Sequence, residues 1–417
     1  MPSLRLSSTV LVCALVGAAL VAAPQNPTGT TAPQGQPGQG RGGRGNVVQI
    51  KPGEECPPGM TMVRPGNCEA PEFPPPSILD YRPTSTLKTA EHLVPKAKFP
   101  AIDYHAHVNQ FIMTADGLAR LMPILDSVGV GMVVSADNLS GTRLQTALDV
   151  VKNSPFKDRV RIQTGPSFQN VGPGWAEKAI AQLETDINAG AVGIGEIMKS
   201  FGLSTRKADG TRLHVDDPDL DPFWEACARL KIPVFMHIAE PNDFFQPLDM
   251  HNERWLEMAL DASKRRNQPG AVTFDELITE RNNLIRKHPK TTFVLAHFGW
   301  QANDLGALGK VFDEFPNVLT ETGAILYDLG RQPRAAHDFF VKYQDRILFG
   351  KDAFEASEYP YYWRVFETKD EYFDYYRDYH AFWKLYGLDL PDAVLKKIYY
   401  QNALTIAPKI PRDGFPR

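Results

Sequence analysis

The sequence predicts an α/β protein built as a (β/α)8 TIM barrel, with a Pro/Gly-rich extension ahead of it and a helical insertion after the eighth strand. Three observations carry this expectation. Short apolar or β-branched runs alternate with segments of helical spacing from Phe99 onward, eight such runs can be found, and they are spread over the chain as far as Ile406. Strands that alternate with helices must run parallel through crossover connections. Eight such units in about 300 residues suit a closed ring. A doubly wound open sheet is the alternative, but no Gly-rich nucleotide loop follows the first strand.

The strand candidates, in order, are "AIDYHAH" near 101, "VGMVVSAD" near 130, "RIQTGPS" near 161, "AVGIGEI" near 191, "IPVFMHI" near 232, "TTFVLAHF" near 291, "NVLTETG" near 317 and "RILFGKD" near 346. Helical spacing predicts helices over 115–127, 175–188, 219–230, 275–287, 303–313 and 391–406. Two insertions interrupt the pattern, 239–273 and 354–390. In the second, Tyr372, Tyr375, Tyr376, Tyr379, Trp383 and Tyr386 fall at helical spacing, which predicts an aromatic helix packed on the barrel or on a second copy in a homodimer. Trp363 and Arg364 lie nearer the strand and are candidates for a pocket wall. Arg364 would hold a substrate carboxylate through paired hydrogen bonds.

Ahead of the barrel domain, 99–410, three segments differ in composition. Residues 1–23 carry one early charge, Arg5, and an apolar run from Thr9 to Ala23 that ends in small residues. This reads as a signal peptide, and the run is short for a membrane span. Residues 24–50 are a low-complexity linker rich in Gly, Pro and Gln. Residues 51–98 are Pro-rich, and Cys56 and Cys68 flank a Pro/Gly loop. In an exported protein these two cysteines form a disulfide, the alternative being two reduced thiols. Cys227 reads as an inert, buried helix residue.

The 417 residues are 43% hydrophobic and 23% charged, with a formal net charge of −4. That is an ordinary globular balance, and no basic stripe with interleaved aromatics marks a nucleic-acid binder. The expected partner is a small-molecule substrate, with no nucleic acid and no membrane after signal cleavage.

In a barrel of this kind, chemistry sits at the C-terminal ends of the strands. Strand one ends in His105 and His107. Side chains at i and i+2 of a strand share a face, so both imidazoles aim at one spot. Strand four ends in Glu196, strand five in His237, strand six in His297 and strand eight in Asp352. Taken singly, His237 or His297 reads as a buried histidine bonded to backbone. Together these residues read as one site. Asp103 shares the face of the two strand-one histidines, lies deeper, and is a candidate acceptor for their rings.

His-x-His on strand one, His on strands five and six and Asp on strand eight resemble the amidohydrolase superfamily. The closing "YYQNALTIAP" is similar to the last helix of its amidohydrolase-related branch, which includes lactonases and decarboxylases like aminocarboxymuconate semialdehyde decarboxylase. The resemblance spans residues 99–406. It implies that His105, His107 and His237 bind a divalent metal, zinc first, at one per chain with room left for a second. It makes Asp352 a fourth ligand, or the base beside a metal-bound water, and His297 the group that polarises a substrate carbonyl. Glu196 joins the ligands or stands behind them, and Lys199 offers the modified-lysine alternative used by some members. Lys351 stands where many relatives carry a small residue. The function implied is an exported metal-dependent hydrolase of an ester, lactone or amide. A metal-dependent decarboxylase on the same barrel is the first alternative, and a non-catalytic metal-binding barrel the second.

Overall fold

The computed structural model describes residues 47–197, 199–380, 382–407 and 410–416. The expected signal peptide and most of the expected linker lie outside the described residues. The chain divides into two compact units, with the boundary between Tyr81 and Arg82.

The first unit holds three short antiparallel strands, Val48–Gln49, Thr61–Arg64 and Asn67–Glu69, with the last in the middle. Cys56 and Cys68 are joined as a disulfide. Cys68 is fully buried, whereas the whole of Thr61–Arg64 is exposed. A unit with so little apolar core needs a covalent staple.

The second unit is the barrel. Its strands are β1 (Ala101–His107), β2 (Val130–Ser135), β3 (Val160–Ile162), β4 (Ile194–Ile197), β5 (Val234–Met236), β6 (Phe293–Leu295), β7 (Val318–Glu321) and β8 (Ile347–Leu348). Neighbours in the sheets are parallel and follow chain order. Two seams complete the ring. Between β3 and β4, the Thr164 N–H donates to Gly193 O at 2.9 Å and the Gly195 N–H to Thr164 O at 2.8 Å. Between β8 and β1, the Tyr104 N–H donates to Phe349 O at 3.0 Å. Beyond it, Asp352 and Ala353 extend β8 alongside Ala106 and His107. The strands are short apolar runs because a parallel sheet under helices is buried on both faces.

The main helices are α1 (Ala115–Val128), α2 (Gly141–Lys152), α3 (Trp175–Ala189), α4 (Asp221–Leu230), α5 (Phe274–Lys287), α6 (Leu305–Glu314), α7 (Pro333–Lys342) and, after β8, α8 (Tyr359–Glu367). In α1 the Thr114 side chain caps the start by accepting from the Gly117 N–H. Gly129 ends the helix at φ 82°. Leu118, Leu121, Met122, Leu125 and Val128 form its buried stripe. Thr273 and Glu276 form a reciprocal capping box at the start of α5. The chain closes with continuous helical turns, Asp392–Lys396, Lys397–Gln401 and Asn402–Ile406, the middle one π-helical. Asn402 of the "NAL" triplet donates to Gln344 O at 2.7 Å and Ile347 O at 2.6 Å, tying this segment to the foot of β8.

The insertion after β8 differs from the expectation in one part. Its helix is α8, but the aromatic stretch 372–386 holds no α-helix among its described residues, only a short 3-10 turn at Asp378–His380. Phe373–Asp374 pairs antiparallel with Lys384–Leu385. Burial alternates from exposed Tyr372 to buried Phe373, exposed Asp374 and buried Tyr375, so period two governs here and the helical spacing of the rings is coincidental. Tyr327, Tyr375 and Trp383 pack around the buried His380 ring.

Neither Trp363 nor Arg364 joins the strand-end cluster, and Arg364 instead lines a separate surface pocket with Tyr361 and Phe373. Trp363 is fully buried, its ring 4.6 Å from Phe349 and 5.1 Å from Tyr399. Arg364 is committed to Asp370, with Nε 2.8 Å from the carboxylate, and lies over the Phe373 ring. Both side chains fasten α8 and its hairpin to the body of the barrel. Trp363→Ala is therefore expected to cost about 3–5 kcal/mol of stability, measured by denaturant unfolding.

Candidate metal centre

The site is built where the strands run out. On β1, alternation turns His105 and His107 to one side, and their Nε2 atoms come within 3.3 Å of each other. Glu196 at the end of β4 reaches the same point. Its Oε1 lies 2.6 Å from His237 Nδ1, 3.3 Å from His297 Nε2 and 3.4 Å from His105 Nε2. Its Oε2 lies 3.1 Å from His107 Nε2. Asp352 Oδ1 lies 3.5 Å from His107 Nε2 and 3.7 Å from His105 Nε2. His297 Nε2 and His237 Nδ1 are 3.1 Å apart. The structure thus brings together every polar strand-end residue singled out from the sequence.

Reaching this point strains the backbone. His297, Phe298, Gly299 and Trp300 form one turn with φ between 54° and 59°. Ala239 (φ 70°), Ala324 (φ 55°) and Asp352 (φ 80°) follow the same rule after β5, after β7 and beyond β8. The left-handed region costs L-residues roughly 1–2 kcal/mol each. Strain of this kind gathers where function requires it and is offset by the surroundings. Gly350 is required for another reason. A Cβ there would collide with the Glu321 carboxylate and the His105 Cβ.

Behind the imidazoles stand further carboxylates. Glu321 at the end of β7 is fully buried, with Oε1 3.1 Å from His105 Nδ1. The same oxygen accepts from the His297 N–H at 2.6 Å. Asp137, just past β2, lies 3.0 Å from His107 Nδ1 and accepts from the Val108 and Asn109 N–H groups and from the Ser135 hydroxyl. His297 Nδ1 donates to Gly323 O at 2.8 Å. Each of these contacts occupies one ring nitrogen and leaves Nε2 for the centre. His237 is turned the other way. Its Nδ1 faces the centre, while Nε2 lies 3.2 Å from the Trp300 indole nitrogen and 3.6 Å from Glu240.

Glu321, Asp137, Glu240 and Trp300 were missed by the sequence reading. "VVSAD" and "NVLTETG" were already strand candidates, so reading the ends of strands two and seven would have found Asp137 and Glu321. Asp103 does not serve the rings. Its Oδ1 accepts from the His105 and Lys351 N–H groups, each at 3.1 Å, and Oδ2 from the Tyr359 hydroxyl at 2.6 Å. It lies one turn of the pleat too deep and joins β1 to the β8 extension through backbone. Lys351 points away from the centre, toward Ala353 O and Glu358, as its odd position demands. Lys199 is exposed and makes no part of the cluster.

The electrostatics follow from burial against opposite charge. Burial opposes protonation of His105, yet Glu321 and Glu196 overcome it and raise its pKa well above the usual value. His107 is likewise raised to about 9 against burial, by Asp137 and Glu196. His237 reaches about 9 through Glu196 and Glu240. Burial opposes ionisation of Glu196 too, but His105 and His237 hold it well below the carboxylate range. Asp352 is lowered chiefly by His105 and His297. The centre is therefore ionic, with positive charge required between its carboxylates.

A divalent cation fits this donor set. Bonds of about 2.0–2.1 Å place the ligand atoms of a tetrahedral ion roughly 3.3 Å apart. The facing atoms of His105, His107 and Asp352 are separated by 3.3, 3.5 and 3.7 Å. His105, Glu196 and His297 form a second group able to share one ion. Imidazole with carboxylate suits zinc, manganese, iron or nickel.

A protein-family model described as Amidohydrolase matches residues 102–406. No curated protein matches the sequence. Solved structures with a similar chain path include an uncharacterized TIM-barrel protein from Bordetella bronchiseptica, 15% identical with a TM-score of 0.45, the match covering 75% of this chain and 99% of that one. A dihydroxybenzoic acid decarboxylase from Polaromonas sp. JS666, with bound manganese and 2-nitroresorcinol, is 16% identical with a TM-score of 0.46, covering 74% and 97%. A 4-oxalomesaconate hydratase from Rhodopseudomonas palustris is 14% identical with a TM-score of 0.44, covering 74% and 96%.

Elemental analysis of the purified protein is expected to find about one divalent ion per chain, as an open catalytic site holds, and to find it lost in His105→Ala. Glu321→Gln keeps the ligands but weakens their support, and is expected to lower metal affinity about 10–100-fold in chelator competition.

Proposed function

The chain belongs to the amidohydrolase family, and from that premise we propose that it is an exported, divalent-metal-dependent hydrolase that opens an ester, lactone or amide of a small substrate with water. Asp352 carries this reading. Its carboxylate is held well ionised by the facing His105 and His107, and its side chain remains 25% exposed beside the 32% exposed His107, at the mouth of a cluster whose other members are buried or nearly so. Hydrolysis needs this carboxylate as a base that meets both the attacking water and the substrate, whereas decarboxylation would need it protonated, to deliver a proton to the carbon that loses carbon dioxide; its lowered pKa favours the base.

The residues divide the work. His105, His107, His237 and Asp352, with Glu196 beside them, would hold the ion, zinc being the first candidate. A divalent ion there supplies a Lewis acid that makes water nucleophilic near neutral pH. Asp352 takes the proton from the attacking water and passes it to the leaving group. His297, anchored by Nδ1 to Gly323 O, presents only Nε2 to the centre. In its protonated form it donates that hydrogen to the oxygen where negative charge develops. His107 is the other partly exposed member, 32% against 0% for His105, so substrate enters past His107 and Asp352.

Export is supported by the N-terminal sequence and by the Cys56–Cys68 pair, which needs an oxidising compartment to persist. N-terminal sequencing of the cell-exported protein is expected to begin near residues 20–24. A full-length chain retained in the cytoplasm would reject this part of the reading.

The activity is tested on a panel of lactones, esters, amides and aromatic carboxylates. Acid release without carbon dioxide is expected. Asp352→Asn should lower kcat about a hundred- to ten-thousand-fold. Carbon dioxide from the aromatic carboxylates would instead assign a decarboxylase, and a protein without metal or turnover a binding barrel.

A further inference from the structure

Arg281 on α5 is the one large cationic side chain among the largest fully buried side chains of the described residues. Its hydrogen-bond partners are neutral. Nη1 donates to Gly299 O at 3.0 Å, Nη2 to the Gln301 side-chain oxygen at 2.8 Å, and Nε and Nη2 to the Asn282 side-chain oxygen at 3.1 and 2.9 Å. A guanidinium taken out of water without a countercharge is expensive, and a well-packed apolar residue would be cheaper. What the cost sustains is visible in its contacts. Two of its acceptors, Gly299 and Gln301, lie within or directly after the left-handed turn that follows β6.

That turn holds two groups in the centre. His297 at its start sends Nε2 to within 3.3 Å of Glu196. Trp300 at its end sends its indole nitrogen to 3.2 Å from His237 Nε2. Inside the barrel the turn is fixed by Glu321 on the His297 N–H and by Gly323 on the His297 ring. On its outer side the contact is Arg281, packed so tightly that a Cβ on Gly299 would fall 2.6 Å from Nη1. A left-handed run of three L-residues and one glycine has an extended or right-handed alternative available at every position. A planar fork that grips two acceptors at fixed angles discriminates against those alternatives, which a flexible ammonium does not.

We propose that Arg281 is a positioning residue for His297: it clamps the His297–Trp300 turn from outside the barrel and so sets the direction of the His297 imidazole at the metal centre. This rests on the reading of His297 as a member of the reactive site. It makes no contact with substrate or metal.

The test is a double-mutant cycle on the metal-loaded protein with Arg281→Lys, His297→Ala and the double variant, read by activity and by the ring-nitrogen NMR signals of 15N-histidine-labelled protein. Arg281→Lys is expected to retain its metal, to lose at least tenfold in kcat with KM nearly unchanged, and to shift the His297 ring resonances while leaving those of His251 and of His337, whose ring bonds Leu388 O, in place. The double variant should be no slower than His297→Ala alone. Additive losses, or unshifted His297 signals in a folded Arg281→Lys, would overturn the proposal. If Arg281→Lys does not fold, Gln301→Ala releases half of the same grip and is expected to shift the same resonances by a smaller amount. Unshifted signals there would overturn it equally. If the wild type turns over no hydrolysable substrate, the functional reading fails, but the NMR comparison still decides the role of Arg281.

Discussion

The constraint on which this structure turns is a desolvated carboxylate, Glu196, with four imidazoles within 3.4 Å. A charge of this kind cannot be buried unless it is paired. Its partners come from β1, β5 and β6, so the ring of strands must close before the charge is satisfied. The reverse also holds. Without Glu196 and Asp352, the imidazoles would crowd one another with no negative charge between them. Fold and centre are therefore conditions of each other.

The outer layer of polar groups does the orienting. Glu321 serves His105 through its ring and His297 through its backbone, so one buried carboxylate sets two of the histidines. Asp137 binds the His107 ring and caps the chain that leaves β1 at Val108 and Asn109. Asp103 holds β1 to the β8 extension one level below. These carboxylates do little that an apolar core could not do for stability alone. Their yield is direction, since a histidine bonded at one nitrogen can offer only the other.

Strain complements this orientation. Strands β5 to β8 all leave the barrel near residues in the left-handed region, most of them not glycine. A regular strand-to-helix exit would carry His297 and Asp352 along the rim, whereas a left-handed residue turns the chain back over the opening. The energy is recovered in the hydrogen bonds that the turned residues then make. This is why the irregular backbone lies next to the chemistry, and the regular backbone of α1 or α5 lies away from it.

The sequence by itself determined the repeating unit and the polar strand ends. Strand and helix periods are local properties, so the eight runs from "AIDYHAH" to "RILFGKD" and the helices between them could be read by eye. The i, i+2 rule aimed His105 and His107, and the ring's order then told where Glu196, His237, His297 and Asp352 must meet. Tertiary structure alone decided the partners. Arg364 found Asp370 as its partner, because the hairpin that follows α8 brings that carboxylate and Phe373 to it. The rings of Tyr372, Phe373 and Tyr375 took a strand's alternation despite the helical spacing of the stretch, since burial is set by what lies opposite and not by the segment itself. Glu321, Trp300 and Arg281 acquired their places from residues 18 to 216 positions away. No pattern within one strand or helix encodes such a distance, and only the closed ring measures it.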